Sequence, residues 1–246
     1  MDRLTGIHAV EEALAAGRAL DRIVIARGRH GTRMDQIVQH ARSRGVPVRF
    51  EDRLQLDRLA GTREHQGVVA LAAAKSAVGL EDLLKAKSER GLIVLLDGIE
   101  DPQNLGAIVR TALASGANGV VIPERRAAGL TDTVARTSAG ALEHLPVARV
   151  KNLARAMEQL KEAGYWLVGL DERAPKSYTE VEFTRAAGIV LGGEGRGLHE
   201  LTRKNCDFLV SIPTTGPVRS LNVSVAAGVV LFEAVRQRRA ASRESS

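Results

Sequence analysis

Cysteine, aromatic rings and long apolar runs are all scarce in this 246-residue chain. Cys206 is the single cysteine, which excludes an intramolecular disulfide and any thiolate-clustered zinc site. It stands beside the strand-like run Phe208 to Ile212 with no histidine nearby and reads as a buried apolar filler. Aromatic residues make up 3% of the chain, with Trp166 the sole tryptophan, so the cores must rest on Val, Leu, Ile and Ala. The longest apolar stretches, Gly188 to Gly193 and Val223 to Leu231, are too short or too rich in small residues to supply the roughly 20 residues that a bilayer-spanning helix needs. The N-terminus shows neither an apolar signal core nor a small-residue cleavage site, so a cytoplasmic protein without membrane contact is expected.

What is present supports ordinary globular cores. Apolar residues are 44% and charged residues 26%, enough for one or two domains, and only the polar tail after Arg239 suggests disorder. The net charge of +6 favours a polyanionic partner without requiring one. Its distribution says more, because residues 1 to 74 hold twelve Arg, no Lys and four of the six His. Arg18, Arg22, Arg27, Arg29, His30 and Arg33 crowd one short stretch. Guanidinium forks pair bidentately with phosphates and stack on bases, so the five arginines form a candidate RNA contact surface; a solvated basic face is the alternative.

Periodicity divides the chain. Ile7, Val10 and Leu14 have helical spacing and Arg22 to Ala26 reads as a strand, so a helix and then a strand open the sequence. A second helix through Met34, Ile37, Val38 and Ala41 precedes β-runs at Val46 to Phe50 and Gly67 to Ala72. These elements predict a small α/β domain over residues 1–74, followed by a linker and domain entry over 75–90. From Leu92 onward strands and helices alternate through residues 91–240: Ile93 to Leu96, Leu105 to Ser115, Gly119 to Ile122, Leu153 to Gly164, Trp166 to Leu170. Two further strands, Ile189 to Gly192 and Phe208 to Ile212, precede a long helix from about Leu221 to Arg238. That rhythm predicts an α/β domain with a parallel sheet covered on both faces.

Three segments of the second domain carry candidate chemistry. The first runs from Asp97 through Asp101-Pro-Gln-Asn104 to Arg110, leaving a buried strand and entering a helix, the place where α/β domains put their sites. Asp101 and Asn104 suit turn and capping chemistry as well as a site. Arg110 lies among Leu105, Ile108, Val109 and Leu113, so its guanidinium calls for a partner, either a ligand or a structural ion pair. The second segment, Val190-Leu-Gly-Gly-Glu-Gly-Arg-Gly-Leu198, has four glycines in six positions, which lets backbone approach a ligand closely or simply turn tightly. It does not fit the GxGxxG dinucleotide fingerprint, since the last position is Leu198, and no GxxxxGK[ST] phosphate loop occurs. The third segment runs from Ile212 to Ala226 into the last helix. Ser220, Asn222 and Ser224 there alternate with apolar residues, more polar groups than one cap requires.

Together, in this order and after strands, the three segments resemble the three motifs of the SpoU (TrmH) family of RNA ribose methyltransferases. Gly6-Ile-His-Ala-Val-Glu-Glu-Ala-Leu14 and His65-Gln-Gly-Val-Val-Ala70 extend the likeness to the RlmB branch, the 23S rRNA guanosine 2′-O-methyltransferases, over nearly the whole chain. No motif position departs, and Gly193 stands where alanine is also common. The resemblance implies a SPOUT-type catalytic domain with a deep trefoil knot, a homodimer packed through that domain, and S-adenosylmethionine as cofactor with no metal. It implies active-site roles for Asn104, Arg110, Glu194, Ser220 and Asn222. Cofactor contacts would come from Gly193, Ile212 and Leu221, with Leu191, Gly192 and Gly197 beside them. It leaves open a tRNA ribose methyltransferase or an rRNA-modifying resistance enzyme of the same family. An intact fold retained as a non-catalytic RNA-binding protein would show a broken motif.

Overall fold

The computed structural model describes residues 2–73, 77–85, 90–217 and 220–244. Parts of the linker (75, 76 and 86–89) and residues 218 and 219 of the third segment lie outside them. In chain order the elements are β1 (Asp2–Thr5), α1 (Ile7–Ala15), β2 (Leu20–Ala26), α2 (Thr32–Ser43), β3 (Val48–Glu51), α3 (Arg53–Ala60) and β4 (Val68–Ala72). There follow α4 (Leu80–Lys85), β5 (Leu92–Asp97), α5 (Pro102–Ala114), β6 (Gly119–Pro123), α6 (Asp132–Thr137), α7 (Ala141–His144), β7 (Val147–Val150) and α8 (Leu153–Glu162). Last come β8 (Trp166–Leu170), β9 (Ala187–Gly192), α9 (Glu200–Asn205), β10 (Phe208–Val210) and α10 (Val223–Glu244). No helix among the described residues is long and apolar enough to cross a membrane.

The chain forms two compact units, Met1–Ser76 with Leu130–His144, and Ala77–Gly129 with Leu145–Ser246. The sequence reading treats 91–240 as continuous; in the structure its stretch Leu130–His144 belongs with the first unit instead. α6 packs on β1 and α7 on α1 through Val134, Ala135, Ala141 and Leu142, all buried, and polar pairs join the same elements. Arg3 binds Asp132 at 3.0 Å, Glu12 binds His144 at 2.6 Å, and Arg18 reaches Glu143.

The first unit is a four-stranded sheet in the order β1-β4-β2-β3, antiparallel except for β2 beside β3. It opens with a strand and not with the expected helix, because the four residues of β1 pair along β4 while their own alternation is too short to read. β4 is buried throughout, as a central strand must be. His65, fully buried, accepts from the Gly67 amide at Nδ1, which leaves its proton on Nε2 to donate to Asp57 at 2.7 Å. That pair pins the turn at Gln66 and Gly67, both at positive φ.

The second unit carries a six-stranded sheet, β10-β8-β9-β5-β6-β7, every pair parallel. β5 is buried at all six positions, the continuous apolar run that helices on both faces demand. One face packs Leu153, Met157 and Leu160 of α8 against Ile93, Leu95 and Leu167. On α10, Arg238 donates to the carbonyls of Phe183, Gly91 and Arg185, at 2.9 to 3.1 Å, and burial pushes its guanidinium pKa down. Gln237 adds bonds to Val181 and Phe183. Arg238→Ala is therefore expected to destabilise this unit by about 2 kcal/mol, the scale of one charge-assisted hydrogen bond after solvent compensation, read as a lower unfolding midpoint. An unchanged midpoint would show that the carbonyls are satisfied by water.

Candidate active site

The site grows from the C-terminal ends of the central strands. Asp101 caps α5, accepting from the amides of Gln103 and Asn104 at 3.0 and 3.4 Å, and Pro102 occupies the first turn, where no donor is lost. Capping thus accounts for Asp101 and frees the Asn104 side chain. Asn104, buried, donates from Nδ2 to Glu194 Oε1 at 2.8 Å. Asn222 donates from Nδ2 to the same oxygen at 3.1 Å and to Asn104 Oδ1 at 3.0 Å. Its own Oδ1 accepts from the Ser224 amide at 2.9 Å, so Asn222 also caps α10. Segments far apart in sequence meet in one triangle that holds a solvent-facing carboxylate by one oxygen.

Beside this triangle lies a cavity of about 430 Å³ at the ends of β8, β9 and β10. Its wall includes Leu191, Gly192, Gly193, Glu194, Gly197, Ile212, Ser220 and Leu221, together with Asp171, Glu172 and Arg203. Two depressions along the end of α10, around Phe232, Arg236 and Arg243 and around Ser115, Arg238 and Ser242, have similar volumes but no glycine-rich backbone. In the loop, the Gly193 amide donates to Asp97 O at 2.9 Å and the Gly197 amide to Gly193 O at 3.0 Å. A Cβ on Gly192 would fall 2.1 Å from the Gly197 carbonyl carbon, and one on Gly193 would fall 2.4 Å from Gly98 O. The substitution of Gly193 by alanine is therefore not the conservative change that the sequence suggests; the Gly98 carbonyl would have to move.

Two arginine expectations change. Arg110 is exposed on the outer face of α5 and makes no ion pair with any described residue, so it is not the desolvated cation that its apolar neighbours suggest. Six residues place it about 120° around the helix from Asn104, off the triangle. Arg18 offers little surface to RNA: its side chain, 9% exposed, is paired with Asp2, Glu143 and the Ala73 carbonyl. Arg22, near the start of β2 with Arg27, Arg29 and Arg33 beyond its far end, pairs with Asp21, and Arg33 with Glu11. Arg27 and Arg29 remain in the exposed stretch after β2, with Arg27 4.0 Å from Asp52.

The sequence reading did not assign Asp97, Asp171, His199 or Arg203. Asp97 binds the His199 ring at 2.9 Å and its amide at 2.8 Å, and Asp171 binds Arg203 at 2.8 Å. A signal existed: two apolar strands, LIVLL and WLVGL, each run straight into an aspartate. Cys206 is only partly buried; its Sγ donates to Thr202 O, and burial pushes the thiol up to about 12, an unreactive side chain.

A parallel α/β sheet with a glycine-rich loop and a polar triangle at its strand ends defines a ligand-binding enzyme of the open-sheet class. Residues 91–232 match the SpoU rRNA Methylase family and residues 3–78 match the family of RNA 2′-O ribose methyltransferase substrate-binding domains. The chain belongs to the SpoU methylase family. It is 44% identical over 240 residues, 96% of each chain, to YacO of Bacillus subtilis, assigned to the TrmH family of tRNA/rRNA methyltransferases. The SpoU methyltransferase AviRb from Streptomyces viridochromogenes, solved in complex with the cofactor AdoMet, is similar with a TM-score of 0.83 and 29% identity, over 97% of this chain and 90% of that one. An AdoMet-bound rRNA methyltransferase from Sinorhizobium meliloti is similar with a TM-score of 0.82 and 25% identity, over 96% and 87%.

Proposed function

We propose that this protein transfers a methyl group from S-adenosylmethionine to a ribose 2′-hydroxyl of RNA, and that the target is a guanosine of 23S rRNA. The observation that carries the reading is the triangle of Asn104, Glu194 and Asn222 at the mouth of a glycine-walled cavity. The cavity suits the cofactor by the chemistry of its wall. Leu191, Ile212 and Leu221 offer apolar surface to an adenine, close backbone comes from Gly192, Gly193 and Gly197, and the carboxylates of Asp171 and Glu172 accept from hydroxyl or ammonium donors. When bound, the cofactor supplies an electrophilic sulfonium methyl.

The protein's own task is to present a poor nucleophile. Glu194 has one oxygen fixed by two amides and its second left to accept from the ribose hydroxyl, which orients that group and gives a place for the proton it loses on methylation. Ser220, on the cavity wall, hydrogen-bonds the nucleotide. Arg110 serves as a cation for the target phosphate and the developing alkoxide, a role that its exposure permits and that suits a permanently charged guanidinium better than proton abstraction. Residues 1–74 form the RNA-binding domain and 91–240, apart from Leu130–His144, the catalytic one, whose C-terminal segment threads through an earlier loop as a trefoil knot. Val225 and Phe232, exposed on one stripe of α10, pair two copies; equilibrium sedimentation reads this as a dimer.

Ribose-methylation mapping of rRNA and tRNA from cells with and without the gene tests the reading. Loss of one 23S guanosine mark supports it, loss of a tRNA mark replaces the target, and an unchanged map overturns it. RNA affinity is also expected to fall steeply with salt, with a slope of about 0.7 per phosphate contact on single strands. Arg27→Ala with Arg29→Ala should flatten that slope in a salt titration; identical slopes would mark those arginines as a solvated face.

A further inference from the structure

The glycine-rich loop has two ends of unequal security. Its start is held by the ladder of β9, which lies between β5 and β8. Its far end runs into α9, a helix of six residues. A helix that short does not hold itself in water, so its place depends on what it is fastened to. Leu198 and Cys206, on either side of α9, rest on β8 at Gly169, where an added Cβ would meet Cys206 Sγ at 2.7 Å and Leu198 at 2.9 Å. Packing there and against α8, with Asp207 bonded to the Leu167 backbone, holds the far end of α9 and leaves its loop-side end to slide unless further contacts hold it.

Two charged pairs oppose that sliding. His199, at the start of α9, binds the Asp97 carboxylate with both its ring Nδ1 and its backbone amide, at 2.9 and 2.8 Å. One turn on, Arg203 donates from Nε to Asp171 at 2.8 Å. The two side chains are four residues apart and share a helix face. Asp97 ends β5 and Asp171 directly follows β8, so α9 is fastened to both strands that flank β9. The anchors sit at the sheet and the helix side is solvated: Asp97 and Asp171 side chains are 10% and 15% exposed, His199 and Arg203 38% and 46%.

We propose that Asp97 with His199 and Asp171 with Arg203 form a two-point clamp on α9 that holds the loop in the shape that accepts the cofactor, with Asp97 and His199 as positioning residues and Asp171 and Arg203 also on the cavity wall. The inference rests on the cofactor reading of the cavity given above. His199 does not line the cavity, so any effect it has on cofactor affinity must travel through the loop.

The test uses the full chain with S-adenosylmethionine in calorimetric titration, together with hydrogen exchange of residues 193–198 in the cofactor-free protein. His199→Ala should weaken cofactor binding roughly tenfold, the scale of one charge-assisted hydrogen bond, and speed exchange in the loop; Arg203→Ala, at a side chain that also lines the cavity, should speed that exchange in the cofactor-free protein. His199→Asn, whose amide nitrogen takes the place of the ring Nδ1 and keeps a donor for Asp97, should restore most of the affinity. Both alanine changes are at exposed side chains, so the unfolding midpoint should move little. Parent-like affinity in the His199 variant, loop exchange unchanged in either alanine variant, or a loss of affinity that only follows a collapse of the unfolding midpoint, overturns the clamp. A parent protein that binds no cofactor overturns the cofactor reading and the clamp with it, whereas a binding parent with indifferent variants overturns the clamp alone.

Discussion

Arg110→Ala should leave a folded protein that binds S-adenosylmethionine with unchanged affinity and transfers methyl groups roughly 10² to 10³ times more slowly, the loss that follows removal of an oxyanion donor. The sequence offers two readings of this residue, a ligand for substrate and a structural ion pair. The structure separates them. α5 buries Leu105, Ile108, Val109 and Ala112 and leaves Arg110 exposed, without an ion pair among the described residues. A substitution at such a position changes stability by no more than about 0.5 kcal/mol. Thermal unfolding, cofactor titration and single-turnover transfer on one variant read all three quantities. Near-normal transfer would remove Arg110 from the mechanism, and a large drop in unfolding midpoint would contradict its placement on the outer face.

Gly192→Ala is expected to weaken cofactor binding by roughly 100-fold, through space and not through backbone strain. The new Cβ would lie 2.1 Å from the Gly197 carbonyl carbon, 2.3 Å from the Leu198 nitrogen and 2.4 Å from the Gly197 oxygen. All three are backbone atoms, so no side-chain rotation relieves the contact and the loop must open. Overpacking of this kind costs about 1 to 3 kcal/mol, whose upper end is a factor of about 100 in affinity. Gly195→Ala is the matched control: nothing lies within 4 Å of its Cβ, and only its positive φ is strained. It should bind within a fewfold of the parent. Equal affinity in the Gly192 variant would mean that the closed shape of the loop does not hold the cofactor.

Much of the second unit was legible because its strands are buried on both faces and therefore read as unbroken apolar runs. Trp166 to Leu170 coincides with β8, and the expected strands at Ile93, Gly119 and Ile189 fall within β5, β6 and β9. Elements whose stability comes from neighbours were not legible. β7 is short and half exposed, α6 and α7 are short helices that belong to the first unit and pair there with Arg3 and Glu12, and α5 begins three residues earlier than its apolar periodicity because Asp101 and Pro102 start it. The arginine cluster shows the same limit. Proximity in sequence placed Arg18 with Arg27 and Arg29, while β2 carries them to opposite ends and Arg18 turns inward to Asp2 and Glu143.

By itself the sequence determined the class of the protein. The order of three polar and glycine-rich segments after apolar strands depends only on local patterning, which is written residue by residue. The tertiary structure alone decided which of those residues meet. It closed Asn104, Glu194 and Asn222 into one hydrogen-bonded triangle, set Asp97 and Asp171 on either side of the glycine-rich loop, and left Arg110 outside. The physical reason is the strand order β8-β9-β5, which makes neighbours of strands separated by most of the domain. Side-chain contacts act over a few ångströms in space, whereas periodicity reports only on the few residues along the chain.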